Sequence, residues 1–472
     1  VNKNIPLFTA GQLVQHQRNI PSLFAIKLSE QKECLECRQI FRLLPKRRLV
    51  CLATQNNLAI LVKLFIHPQK AKTDYQKELN GYNKLNQTKL LIPKRLEHGC
   101  WEENTFYIIY EYLANTISLS QALKHKQYAN GLIQQMLGSI AIMHQANLQQ
   151  IDLHLDNFLL QDNKLFCIDF GEINALESLP NRTKNLADIL SQFPIAQDTH
   201  LAERLNYYNH QLSDSTAISL REIQQSINSW RGWRIKKYLQ KAGRNCSEFI
   251  KKQSWNEYMV VRREYDGPEW QRFCAQLDTL MESAERLKDG NTATVCLLPF
   301  NNQQLVVKRY NIKNFKHLLS RFWRPSRAWN SWQNAHCLAV LGISTPKPIA
   351  VIEKRFGGFR HKAYFITEYN ANPDALSIYN KKHIFTSEQI EAFKSLFDSL
   401  AKAQISHGDM KGNNLLLDDE KIALIDLDAM KQHGNYNNFY KAHLKDIRRF
   451  LQNWQNDSEL LGKLKSIFNL PS

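Results

Sequence analysis

Long hydrophobic runs are missing from this 472-residue chain. No stretch of eighteen or more apolar residues occurs, which excludes a membrane-spanning helix. The first residues, Val1-Asn2-Lys3-Asn4-Ile5, lack the basic, apolar and small-residue order of a secretory signal, so a soluble, cytoplasmic protein is expected. Cysteine is scattered rather than paired. An odd nine in a chain of this size fits reduced thiols better than a disulfide framework. Cys34 and Cys37 form one CxxC with no second pair nearby, which argues against structural zinc. Acid is missing from one long stretch. Between Asp289 and Glu353 there is none, while Lys308, Arg309, Lys313, Lys316, Arg321, Arg324, Arg327 and Lys347 are all positive.

What is present suits globular domains. An apolar content of 43% with 22% charge is ordinary, and the length exceeds what one hydrophobic core usually organises, so two or three domains are expected. The net charge of +18 predicts attraction to anionic partners. Nucleic acid is disfavoured because no recognisable binding motif accompanies the basic residues.

Two stretches repeat one sparse pattern of polar residues. Asp152, Asn157 and Asp169 recur as Asp409, Asn414 and Asp426, with the same two spacings. In each, an apolar run follows the Asn (Phe158 to Leu160, Leu415 to Leu417) and another precedes the last Asp (Leu165 to Ile168, Ile422 to Ile425). Turn-forming residues separate the runs, Gln161-Asp162-Asn163-Lys164 and Asp418-Asp419-Glu420-Lys421, so each pair reads as a hairpin that brings the Asn and the last Asp to one mouth. Phosphoryl transfer needs such a set: one Asp meets the acceptor hydroxyl, while an Asn and a second Asp hold Mg2+ on the phosphates of ATP. Asp152 and Asp409 are thus the candidate catalytic residues. Asn157, Asp169, Asn414 and Asp426 are the candidate metal ligands.

The flanking elements agree. Arg47 to Ala53 and Leu58 to Phe65 read as strands around Gln55-Asn56-Asn57, and a helix follows with Leu79, Tyr82 and Leu85 at helical spacing. Lys63 on the second strand and Glu78 on the helix fit the lysine that binds nucleotide phosphates and the acid that steadies it. Phe106 to Tyr110, with Glu111-Tyr112-Leu113, reads as a hinge, and Gln127 to Ala146 as a helix. In the second half, strands around Thr292 to Leu298 and Leu305 to Arg309 place Lys308 like Lys63, and Tyr364 to Thr367 with Glu368-Tyr369 read as the second hinge. Asn185-Leu186-Ala187-Asp188 and His443-Leu444-Lys445-Asp446 are expected to begin helices. Internal duplication is the simplest account. The fold class is α+β, with two tandem protein-kinase-like domains, each with a β-rich small lobe and a short helical large lobe. Their expected spans are 1–255, ending in a helical segment with Trp230, Arg231, Trp233, Arg234, Lys236 and Lys237, and 256–472.

Departures from that pattern are also legible. No helix acid accompanies Lys308, so a neutral residue such as Asn334 would have to stand in. No glycine-rich phosphate loop precedes either strand lysine; the second half offers Gly290 alone. Gln150 stands where the first loop would have a His. His154 reads equally as a packing or a site residue, and Asp428 and Glu172 read as solvated turn acids in preference to third metal ligands.

The second half resembles the lipopolysaccharide core heptose kinases, small atypical protein-kinase-like enzymes of Gram-negative bacteria. The likeness lies in Val307-Lys308-Arg309-Tyr310, Ser326-Arg327-Ala328-Trp329, Gly342-Ile343-Ser344-Thr345-Pro346, the loop from His407 to Asn414, and Ile425-Asp426-Leu427-Asp428. The resemblance implies phosphorylation of an inner-core sugar hydroxyl with ATP and Mg2+. An anionic glycolipid would be the acceptor, met on the cytoplasmic face through peripheral inner-membrane contact. Arg321, Arg324 and Arg327 are then candidate acceptor-binding residues, because guanidinium groups can clamp carboxylates and phosphates bidentately. Trp323, Trp329 and Trp332 would stack on sugars or pack in a core. The alternatives are a phosphotransferase for another small hydroxyl compound and a pseudokinase scaffold with one or both copies inactive.

Overall fold

A computed structural model describes residues 5–16, 19–29, 34–124, 129–212, 217–290, 293–310, 325–356, 359–382, 384–418 and 421–468. The chain divides into two compact units, one made of residues 1–190 and 200–227, the other of 191–199 and 228–472.

The first unit opens with an antiparallel sheet of six strands in the order 24–26, 35–44, 48–55, 58–65, 106–111, 95–100. Strand Arg48–Gln55 buries alternate residues, Leu49, Cys51 and Ala53, as a strand with one core-facing side must. It turns into Leu58–Phe65 through Asn56 and Asn57, both at positive φ (49° and 62°), the backbone that a two-residue hairpin requires and that Asn tolerates. Helix Ala71–Leu85 buries Ala71, Glu78, Gly81, Tyr82 and Leu85. Helix Ala129–Gln145 and the hairpin Phe158–Gln161 with Lys164–Cys167 follow, the latter turning at Asp162 and Asn163 (φ 46° and 62°).

The second unit has a seven-stranded sheet in the order 249–253, 257–262, 348–356, 359–368, 303–310, 293–300, 286–290. Read from the opposite edge, its last five strands repeat the order of the first unit's 35–44 through 95–100. The second hairpin, Leu415–Leu417 with Ile422–Leu424, also recurs. Helix Arg327–Leu341 is capped by Ser326, whose Oγ accepts from the Trp329 amide, and ends at Gly342 in the left-handed region (φ 70°). Helices Ser387–Lys402 and Tyr436–Leu451, with the 3-10 turn Gln452–Trp454 after the second, pack Phe393, Phe397, Phe450 and Trp454 into a core.

Three local expectations are corrected. Phe249–Gln253 is a strand, not part of a helical segment, because it pairs with Glu257–Arg262 at the sheet edge and carries edge lysines 251 and 252. Asn185 and His443 lie inside helices Leu179–Leu190 and Tyr436–Leu451 rather than at their starts. The second of these begins earlier because Asn435 caps it, accepting from the Asn438 amide. The Trp230 to Lys237 segment lies in helix Leu220–Lys241, where Arg231 is buried on both carboxylate oxygens of Asp198 (2.6 and 2.7 Å). All nine cysteines are free, and Cys37 is buried beside Cys51, their sulfurs 3.4 Å apart.

Candidate active sites

In the first unit, the strand beginning at Leu58 delivers Lys63 and the following helix delivers Glu78. Nζ of Lys63 lies 2.5 Å from Glu78 Oε1 and 3.2 Å from Asp169 Oδ1. Glu78 Oε1 also accepts from the Phe170 amide (3.4 Å). Asp169 itself is held in the left-handed region (φ 66°). The charge of Lys63 holds the Asp169 carboxyl down at about 2, with Arg48 and Arg42 adding to the pull against the opposing effect of burial.

The loop carrying Asp152 is pinned by local bonds. Asn157 Nδ2 donates to the Asp152 carbonyl (2.7 Å), and the Asn157 carbonyl accepts from the Ile168 amide (2.9 Å). The second unit repeats both. Asn414 Nδ2 donates to the Asp409 carbonyl (2.8 Å), and the Ile425 amide donates to the Asn414 carbonyl (3.1 Å). Asp426 is left-handed as well (φ 62°) and is bound by Lys308 through Oδ1. Burial would raise its carboxyl, but Lys308, by charge and by hydrogen bond, together with Lys288 and His407, keeps it below the ordinary value. Each triplet and its strand lysine therefore converge in their own unit.

The two aspartates that would meet an acceptor differ in surroundings. Asp409 lies between Lys411 (Nζ to Oδ2, 2.7 Å) and Arg449 (Nε to Oδ1, 3.8 Å). Asp152 is 64% exposed and has His154, two residues on like Lys411, with Nε2 3.1 Å from Oδ1. His154 is thus a partly exposed neighbour of Asp152 and not a core-packing residue.

Several roles escaped the sequence. Asn334 does not replace a helix acid; its Nδ2 donates to the carbonyls of Leu427 (2.8 Å) and Met430 (3.0 Å). Besides Asp426, the acid near Lys308 is Asp428, 3.9 Å away. It is no solvated turn residue, since its side chain is 7% exposed and gripped by Arg327. Glu172 does fit a turn acid, half-exposed and 3.8 Å from Lys77. Gln150 substitutes for the loop His: its Nε2 donates to the Ile168 and Asp169 carbonyls, as His407 Nε2 does to that of Ile425. Asp446 accepts from the His407 and Gly408 amides (2.6 and 2.9 Å), anchoring the loop. Burial raises its carboxyl above the ordinary value, against those two amides. The signal for Asp446 was its distance from Asp426, nearly equal to that of Asp188 from Asp169.

Of the acceptor candidates, Arg321 and Arg324 lie outside the described residues, as does Trp323. Arg327 is engaged by Asp428. Trp332 is fully buried and donates to the Ala242 carbonyl, and Trp329 packs edge-on against Tyr258, so both serve the core.

The donor set fits magnesium. Asn157 and Asn414 spend their amide nitrogens on backbone, which leaves their side-chain oxygens as donors, and oxygen donors suit a hard cation. Among the described residues no group of three or more His, Cys, Asp or Glu is arranged to hold a metal. A cation here would complete its shell with phosphate oxygens and water, as Mg2+ commonly does.

Sheet, adjoining helix and pinned loops define a protein-kinase-like architecture in each unit. Residues 59–202 and 272–461, well over half of the sequence and each segment containing one triplet, match the model of the lipopolysaccharide kinase (Kdo/WaaP) family. The chain belongs to that family. It is 27% identical over 142 residues to a 3-deoxy-D-manno-octulosonic acid kinase of Vibrio cholerae (28% of this chain, 59% of that protein). It is also 27% identical over 113 residues to the enzyme of the same name from Vibrio vulnificus (24% and 48%). The chain spans about half the length of these relatives. A solved structure of WaaP in complex with acyl carrier protein is similar over 42% of this chain and 86% of that one, with 18% identity and a TM-score of 0.32.

Proposed function

We propose that this chain is a kinase that transfers a phosphoryl group from ATP to a sugar hydroxyl of the lipopolysaccharide inner core, on a heptose or a 3-deoxy-octulosonate residue. The observation that carries the reading is the convergence of Lys308, Asp426, Asn414 and Asp409 through bonds that recur in Lys63, Asp169, Asn157 and Asp152. Asp409 would orient the acceptor hydroxyl and take its proton. Lys411 and Arg449 beside it would offset negative charge arriving with donor and acceptor. Lys308 and Lys63 would steady nucleotide phosphates, with Asp426, Asn414, Asp169 and Asn157 as the residues that would hold Mg2+. When bound, the cation supplies neutralisation of phosphate charge. Two kinase-like domains in tandem remain our working organisation, with strand Phe249–Gln253 assigned to the second because it belongs to that unit's sheet. The protein would act at the cytoplasmic face of the inner membrane by peripheral contact; among the described residues no helix is long and apolar enough to cross it.

The test is core phosphate content by mass spectrometry in strains carrying Asp409→Asn, Asp152→Asn or both. Phosphate should vanish in the double variant. Unchanged phosphate there sinks the reading. A second reading confines turnover to the second unit, favoured by the Lys411 and Arg449 cations beside Asp409; it expects Asp409→Asn alone to abolish incorporation.

A further inference from the structure

We propose that Arg42 and Lys288 are ligands for the nucleotide's phosphates, doing with side chains what a glycine-rich loop does with backbone amides. This rests on the kinase reading above. In a kinase small lobe, the first two strands meet in the loop that covers the phosphates. Here those strands are 35–44 with 48–55, and 286–290 with 293–300.

The cross-strand register places a cation in the same row as each strand lysine. Lys63 lies opposite Val50, and Val50 opposite Arg42. Lys308 lies opposite Val295, and Val295 opposite Lys288. Directly opposed residues share a face of an antiparallel sheet, so each cation shares the lysine's face. Both ladders also slip by one residue just before the cation, between Ile40 and Arg42 and between Arg286 and Lys288. The extra residues, Phe41 and Leu287, are each 46% exposed. Such a bulge shifts the alternation of faces by one and re-aims the side chain that follows. In both units it turns a cation toward the cleft.

The contacts agree down to the atom. Arg42 Nη1 lies 3.4 Å from Asp169 Oδ2 while Lys63 takes Oδ1. Lys288 Nζ lies 3.8 Å from Asp426 Oδ2 while Lys308 takes Oδ1. Incidental surface pairing would not repeat at one register, one bulge and one oxygen in halves that differ in residue, Arg against Lys and Phe against Leu. The side chains are 52% and 60% exposed, so little packing holds them back from an incoming anion. A side-chain cation also removes the need for close backbone approach, which is what glycine provides.

The experiment is calorimetric titration of the full chain with ATP plus magnesium, and separately with adenosine, for wild type, R42Q/K288Q and R42K/K288R. We expect R42Q/K288Q to bind ATP about tenfold more weakly, the loss of one or two charge-assisted contacts. Adenosine affinity should not change, and R42K/K288R should stay near wild type. Equal ATP affinity in wild type and R42Q/K288Q overturns the proposal and leaves the kinase reading standing. A parallel loss for adenosine also overturns it, because the defect would then not lie at the phosphates. A wild-type chain that binds no ATP overturns the kinase reading instead, and this proposal with it.

Discussion

Arg327 holds Asp428 with Nε 2.6 Å from Oδ2, the same oxygen that lies 3.9 Å from Lys308. The first unit places an acid, Glu78, on the helix beside its strand lysine. The second places a cation on the helix and the acid in the turn after Asp426. Truncation to Arg327→Gln leaves Lys308 as the cation beside the buried Asp428 carboxylate among the described residues. We expect a loss of about 1 kcal/mol, kept low by the partial exposure of Arg327, in denaturant unfolding. The ATP KM should rise more than kcat falls.

Gly81 is where the helix meets the turn after Asp169. A Cβ there would lie 1.8 Å from the Phe170 carbonyl oxygen, so Gly81→Ala must push the helix away and strain the Lys63–Glu78 pair. A drop of about 1–3 kcal/mol is expected from such overpacking. Gly131→Ala is the control, since nothing lies within 4 Å of its added carbon. It should raise stability by about 0.5–1 kcal/mol as an exposed helical position. Thermal melts of both variants decide the matter.

Gln150→Leu would strip the Ile168 and Asp169 carbonyls of their shared donor. The cost of leaving buried acceptors unpaired is about 1–3 kcal/mol. Gln150→His should be tolerated, because His407 serves the matching carbonyl in the second unit. Denaturant midpoints of the two variants should separate clearly.

Acid sensitivity should come in two steps. Burial lowers His336 to about 3 and His144 to about 4 from 6.5. Between those values the unfolded chain binds protons that the folded chain refuses, so their contribution is complete above about pH 6.5 and is lost as pH falls toward 3. Asp169, at about 2 against 3.8, acts lower; its contribution is present above about pH 4 and fades toward pH 2. His336→Phe, which keeps a ring among Trp332, Phe249 and Tyr238, should flatten the upper step in melts across pH.

Much of the site was legible because it is local. The Asp–Asn–Asp spacing reflects one loop and one hairpin, whose turns announce themselves in Asp162-Asn163 by left-handed backbone that Asn and Asp accept. Lys63 and Glu78 were readable as a strand residue and a helix residue at a fixed separation. Asp428 was misjudged because its partner, Arg327, lies about a hundred positions upstream and no periodicity links them.

The sequence by itself determined the two triplets, the hairpins that carry them, the α+β order of elements and the lack of a glycine-rich loop ahead of each lysine, since backbone geometry and turn chemistry are decided among neighbouring residues. Tertiary structure alone decided which acid meets Lys308, how Asp446 anchors its loop and where Arg42 and Lys288 point. Ion pairs and cross-strand rows join residues distant in the chain, and a single bulge, invisible in composition, reverses the face on which a side chain emerges.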